Sequence, residues 1–167
     1  DGGAAHFART LEALHQRCPK TTVEVLVPDF AGNWAALAAV LDARPDILNH
    51  NLETVPRLYP ALRPQARYER SLELLDQARR REQTVTKSGL MLGAGETPEE
   101  VAATIDDLRR SGCQILTMGQ YLSPSAAHAP VSRFVPPEEF ALWRERAAAR
   151  GFTHVEAGPL VRSSYHA

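Results

Sequence analysis

TVTKSGLMLGAGETPEE, residues 84–100, joins an apolar, alternating run to a glycine bend and then to an acidic turn. TKSGLMLG (86–93) reads as a strand. Behind it, TPEEVAATIDDLRRSG (97–112) sets Thr97 at an N-cap, Pro98 at the first helical position and Glu100 at the third, and closes on Gly112. That is a capping box with proline inside the start and glycine past the end, so a helix begins there. The bend between them admits three readings: a phosphate-cradling loop, a plain strand-to-helix corner, or a wall against which a flat ligand lies. Neither G-x-G-x-x-G nor a glycine run followed by Lys-Ser/Thr is present, because Lys87 and Ser88 precede the glycines. The plain corner and the ligand wall stay open on this stretch alone.

Working outward, the same alternation recurs. AAHFARTLEALHQR (4–17) has helical spacing, TTVEVLV (21–27) is a β-branched strand, and NWAALAAVLDA (33–43) is a helix with Asn33 as N-cap. PDILNHNLETV (45–55) reads as a strand, and YERSLELLDQARRRE (68–82) as an amphipathic helix. CQILTMGQYL (113–122), PPEEFALWRERAAARG (136–151) and FTHVEAGPLV (152–161) follow as strand, helix and strand. Strand and helix alternate in units of about 30 residues, which predicts an α/β fold with parallel strands and helical crossovers. Pattern alone does not separate a doubly wound sheet from a (β/α) barrel.

Buried parallel strands are nearly all apolar, so polar residues within them stand out. Asn49, Asn51 and Glu53 share one face of the 45–55 strand by the two-residue period. They suit a ribose diol or an amino-acid head group, and equally a buried polar network or a wet edge. Lys87 and Ser88 sit inside the next strand. A strand lysine is most often a solvated outer residue; the alternative is a lysine that neutralises a carboxylate or holds an anion. Gln120 and Tyr121 end the strand after that, with Tyr121 read as packing.

The 167 residues are 44% apolar and 23% charged with a net charge of −1, which gives no basic face for nucleic acid. No apolar run approaches the ~20 residues of a membrane span, and no charged-then-apolar leader is visible. Cys18 and Cys113 are too few for a disulfide framework or a metal centre, and their scarcity suits a reducing compartment. The six histidines show no zinc spacing, and no G-x-S-x-G elbow is present. The chain opens on Asp1, which suggests a segment of something longer.

Taken together, DGGAAHFARTLEAL, VEVLVPDFAGNW, DILNHNLETVPRLYP, TKSGLMLGAGET, QILTMGQYLSPS and GPLVRSSYHA resemble the lipoyl synthases of the radical S-adenosylmethionine superfamily. The resemblance implies a partial (β/α) barrel of the radical S-adenosylmethionine type without its amino-terminal strands. Residues 1–167 would be the carboxyl-terminal part of one barrel domain, with 152–167 a terminal strand and cluster-capping tail. It implies that Gly89, Met91, Gly93 and Glu96 form the superfamily element lying against the adenine. Asn49, Asn51, Glu53, Lys87, Gln120 and Tyr121 would join them as S-adenosylmethionine contacts. In the run Arg162–Tyr165, Ser164 would ligate an iron of an auxiliary cluster, with Ser163 as the alternative. The family uses two [4Fe–4S] clusters held by two cysteine triplets. Cys18 and Cys113 match neither, so the triplets are expected upstream of Asp1 and the chain alone is expected to be inactive. Ala126 and Ala127 stand where the family often carries basic residues.

The implied activity is insertion of two sulfur atoms at C6 and C8 of an octanoyl-lysine. The implied partners are octanoylated lipoyl-carrier domains, namely the glycine cleavage H protein and the acyltransferase subunits of 2-oxoacid dehydrogenases, with no nucleic acid and no membrane. The complete enzyme would be a monomer, cytoplasmic in a bacterium or mitochondrial in a eukaryote. Two rivals are a non-catalytic module docking lipoyl-carrier domains and an aldolase-like barrel using Lys87 as a Schiff-base lysine.

Overall fold

In the computed structural model, which describes residues 1–81 and 83–164, five strands form one parallel sheet in the order β1-β2-β3-β4-β5. They are β1 (Glu24–Leu26), β2 (Ile47–Asn49), β3 (Val85–Leu92), β4 (Ile115–Gln120) and β5 (His154–Ala157). The helices are α1 (Ala4–Arg17), α2 (Trp34–Asp42), α3 (Tyr59–Leu62), α4 (Tyr68–Arg79), α5 (Pro98–Arg110) and α6 (Pro137–Ala148). A doubly wound sheet reverses its strand order midway. Here each strand pairs with the next in sequence, and right-handed crossovers then put every helix on the same side. The result is an arc of a (β/α) barrel.

The helix side is apolar. Leu11, Leu37, Val40, Leu48 and Leu74 form one core beneath β1 and β2. Ile105, Leu108, Leu116, Met118, Phe140 and Trp143 belong to a second beneath β3 to β5. The capping box of α5 is complete: the Glu100 amide donates to Thr97 Oγ1 (3.3 Å) and the Thr97 amide to Glu100 Oε2 (2.8 Å). Gly112 and Gly151, at φ 84° and 87°, turn the chain out of α5 and α6.

The other side of the sheet is polar, and register explains it. Asn49, Lys87, Ile115 and His154 lie across one row, and Gly89, Thr117 and Glu156 across a row nearer the carboxyl ends. Active sites of closed barrels of this type sit at that end.

The strand expected over 45–55 stops at Asn49. The Asn49–Lys87 register, continued, would pair Leu52 with Leu90, yet Glu53 takes that place. One extra residue has been inserted, so the chain bulges between Asn49 and Glu53. Glu53 itself has φ 65°, the left-handed region, which a non-glycine residue adopts at a cost. Leu52, within the bulge, is fully buried in the core. The strands expected over 21–27 and 152–161 are likewise shorter, at three and four residues.

Candidate functional site

A cavity of about 250 Å³ opens on the polar side of the sheet. Asn51 and Glu53 come to it from the bulge, Gly89 and Met91 from β3, and Thr117 and Gly119 from β4. Val161, Arg162 and Ser163, the segment after β5, close the opposite wall. Asn51 Nδ2 donates to Glu53 Oε1 (3.1 Å), while Asn51 Oδ1 is buried with no partner among the described residues. Such an acceptor is costly unless a ligand or water meets it. Burial raises the Glu53 carboxyl above its ordinary pKa; the Asn51 hydrogen bond and the Arg63 charge pull it back.

Two glycines make the floor. A Cβ at Gly89 would stand 2.9 Å from both Asn51 Oδ1 and Thr117 Oγ1. A Cβ at Gly119 would stand 2.1 Å from the Val161 carbonyl oxygen. The first absence keeps the floor flat beside the free amide oxygen. The second lets the terminal segment lie directly on β4. A flat floor, a free acceptor, a carboxylate, a hydroxyl and the Arg162 guanidinium form a surface suited to a hydrogen-bonding nucleoside. The chemistry of Asn51, Glu53, Thr117 and the Gly89 floor is compatible with the nucleoside of S-adenosylmethionine.

The remaining expected site residues lie elsewhere. Glu96 does not line the cavity; its carboxylate accepts from the amides of Gly93 (2.6 Å) and Ala94 (2.9 Å), fixing the bend behind Met91. Gly93, at φ 97°, could carry no Cβ without meeting the Arg133 carbonyl oxygen at 2.3 Å. Gln120 alternates to the helix side of β4. There Nε2 donates to the carbonyls of Tyr121 (2.9 Å) and Arg133 (3.0 Å), and Oε1 accepts from the Val135 amide (2.8 Å). Tyr121 packs, as expected, with its hydroxyl donating to Ala129 O (2.7 Å).

Lys87 is not a solvated outer residue. It is 2% exposed, and its Nζ donates to Glu24 Oε2 at 2.8 Å, while Asn49 Nδ2 donates to the other oxygen at the same distance. Glu24, out of place in an apolar strand, is thereby explained: β1, β2 and β3 each contribute one member of a buried polar triad. An ammonium bound to a carboxylate outside the cavity is a poor Schiff-base nucleophile, which removes the support for an aldolase-like chemistry.

Ser163 lines the cavity; Ser164 is exposed and outside it, and Tyr165 lies outside the described residues. Among the described residues no group of three His, Cys, Asp or Glu side chains is placed to hold a metal ion. Cys18 is exposed, and burial pushes the Cys113 thiol up to about 12. The described residues therefore do not by themselves make an iron–sulfur site.

Thr117, Gly119, Leu90 and Val161 line the cavity without having been singled out from sequence, and Arg162, named there only as the start of the run to Tyr165, lines it too. For Thr117 a signal existed, since it sits in register with Gly89 on the next strand.

Over 168 aligned residues the chain is 61% identical to the lipoyl synthase of Roseiflexus sp., covering all of this chain and 56% of that protein. To the lipoyl synthase of Chlorobaculum parvum it is 55% identical, covering all of this chain and 57% of that one. The chain thus spans about half the length of these curated relatives. Among solved structures, methylornithine synthase aligns with a TM-score of 0.66 at 13% identity, over 95% of this chain and 54% of that one. A domain of pyruvate-formate lyase-activating enzyme from Bacteroides vulgatus aligns with a TM-score of 0.66 at 12% identity, over 95% and 96%. At such identities the likeness shows the fold alone, and it is the same barrel arc. Residues 3–108 match the Radical SAM superfamily, and on a match covering more than half of its length the chain belongs to that superfamily.

Proposed function

We propose that this chain carries the S-adenosylmethionine-facing part of a lipoyl synthase, which inserts two sulfur atoms at C6 and C8 of a protein-bound octanoyl-lysine. The observation that carries this reading is the 55–61% identity, over the full extent of the chain, to proteins named lipoyl synthase. S-adenosylmethionine, when bound, supplies the adenosyl group that removes hydrogen from the substrate carbon. Asn51 and Glu53 hold the polar edge of the nucleoside, the Gly89 floor lets its flat face approach, and the Val161–Ser163 wall excludes water.

Removal of hydrogen from an unactivated carbon needs position and shelter more than an acid–base pair. A paired, buried Lys87 and a Gln120 turned to the helix side are consistent with that demand. In this reading the complete enzyme binds two [4Fe–4S] clusters. Ser164, or Ser163 on the cavity wall, offers a hydroxyl to an iron of the auxiliary one. Partners are the octanoylated carrier domains of the glycine cleavage H protein and of 2-oxoacid dehydrogenase acyltransferases, in bacterial cytoplasm or the mitochondrion.

Calorimetric titration with S-adenosylhomocysteine tests the site. Binding is expected, and Gly89→Ala, whose methyl takes the space beside Asn51 Oδ1, is expected to weaken it by about tenfold or more. Absence of binding to the wild-type protein refutes the reading.

A further inference from the structure

The two side chains that give the cavity its polar edge do not stand on a regular strand. They stand on a one-residue bulge whose far end, Glu53, is in the left-handed region. Such a conformation persists only where its surroundings over-determine it. The sheet holds the end of the bulge: the Glu53 amide donates to Gly89 O (2.9 Å), and the Met91 amide to Glu53 O (2.7 Å). No bond from a neighbouring strand holds the carbonyls of Asn51 and Leu52, which fall within the extra length; Leu52 O has only a local bond from the Thr54 amide (2.8 Å) within the main chain.

Those carbonyls are taken by α3 and the residue that ends it. Arg63 Nη1 donates to Asn51 O (3.0 Å) and Leu52 O (3.1 Å). Tyr59 Oη donates to Leu52 O (2.9 Å) and accepts from the same Arg63 nitrogen (3.2 Å). The Arg63 guanidinium lies 5.4 Å from the Tyr59 ring centroid, and its main-chain amide donates to Tyr59 O (2.8 Å). Tyr59 is buried and meets Tyr68 of α4 edge-to-face at 5.5 Å, so the clamp is anchored in the core. Arg63 is also the charge that opposes the burial of the Glu53 carboxylate.

We propose that Arg63, braced by Tyr59, is a positioning residue: it straps the Asn51–Glu53 bulge so that both side chains face the nucleoside. Neither strap residue lines the cavity. The inference rests on the nucleoside reading of that cavity but goes beyond it, because it assigns the precision of the site to a segment outside the sheet. Both carbonyl bonds come from the one nitrogen Nη1, and what a guanidinium adds is its planar stacking on the Tyr59 ring, which holds that nitrogen in place. A lysine in its place keeps a donor but loses the stacked plane.

The test is calorimetry with S-adenosylhomocysteine, together with amide hydrogen exchange of Asn51–Thr54 in the unliganded protein. Arg63→Met is expected to weaken affinity by about tenfold or more and to speed exchange in the bulge, with Arg63→Lys recovering part of both. Arg70→Met, which breaks the half-buried pair with Asp29 away from the cavity, serves as the stability control. It is expected to lower the melting temperature and leave affinity unchanged. Should Arg63→Met not fold, Tyr59→Phe, which removes one donor to Leu52 O, is expected to cost a few-fold in affinity with the same local signature.

Unchanged affinity and exchange in folded Arg63→Met or Tyr59→Phe overturns the strap while leaving the nucleoside site standing. A wild-type protein that does not bind the probe overturns both.

Discussion

Gly119→Ala is a one-methyl change whose consequence is set by distance. The new Cβ would lie 2.1 Å from Val161 O and 3.2 Å from Val161 C and Arg162 Nη1. Carbon–oxygen contacts settle at about 3.3 Å or more, so some group must retreat by roughly 1 Å. β4 is not free to do so. It is paired with β3 on one side and β5 on the other, and Met118 is fully buried beneath it. The terminal segment must therefore lift. What it forfeits is mainly the burial of Val161, about 1.5–3 kcal/mol for a side chain of that size. Converted at 1.4 kcal/mol per decade, protection of residues 159–164 against hydrogen exchange should fall by about ten- to hundredfold. The rest of the sheet should keep its protection. Trypsin, which cleaves after arginine, should cut at Arg162 correspondingly faster. Equal protection and equal cleavage in the variant would mean that the segment does not rest on Gly119. Loss of protection spread across β3 and β4 would mean that the strand, not the tail, gives way, and the argument would fail there.

Two further outcomes follow from buried polar groups. Lys87→Met leaves Glu24 largely buried without its cation and is expected to cost about 3–5 kcal/mol in urea unfolding, with Lys87→Met plus Glu24→Gln recovering most of that; additive losses would refute the pairing. His50 is buried, with Nδ1 set to donate to Val27 O (2.9 Å) and Nε2 to accept from Ser71 Oγ (2.9 Å), and burial lowers its pKa below the ordinary 6.5. The unfolded chain then binds the proton first, so stability from this group is full above pH 6.5 and falls as pH drops below it, by at most about 1.4 kcal/mol per unit. His50→Gln should flatten that limb of a stability–pH curve, and an unchanged slope would count against the neutral tautomer.

Helices were legible in the sequence wherever the signal was local, whereas the strand order, a matter of long-range pairing, was left open by pattern alone. Thr97, Pro98, Glu100 and Gly112 delimit α5 almost to the residue, because capping acts within a single turn. The cavity was legible in part for a less secure reason. The two-residue period placed Asn51 and Glu53 on one face of a continuous strand, and they do share the cavity, but through a bulge that no period announces. The partner of Lys87 lies 63 residues upstream, so nothing near the lysine could reveal that it is buried. Gln120 shows the limit of reading a strand end as a site. Whether its side chain faces the ligand or the helices is a matter of parity, decided by the register with β3. The place of Val161 and Arg162 on the cavity wall had no local signal, because it depends on the missing side chain of Gly119.

The glycine bend with which the sequence was first read also ties down a distant loop. Gly93 O accepts from the amides of Ser132 and Arg133, and Gln120 seizes Arg133 O and the Val135 amide from the other side. The twelve or so residues that leave β4 therefore return to a fixed mooring beside the Gly93 bend before α6 begins. Any flexing of that loop is confined to its middle, like a rope slack between two cleats. A substitution at Gly93 would be felt at the rim of the cavity before it was felt in its floor.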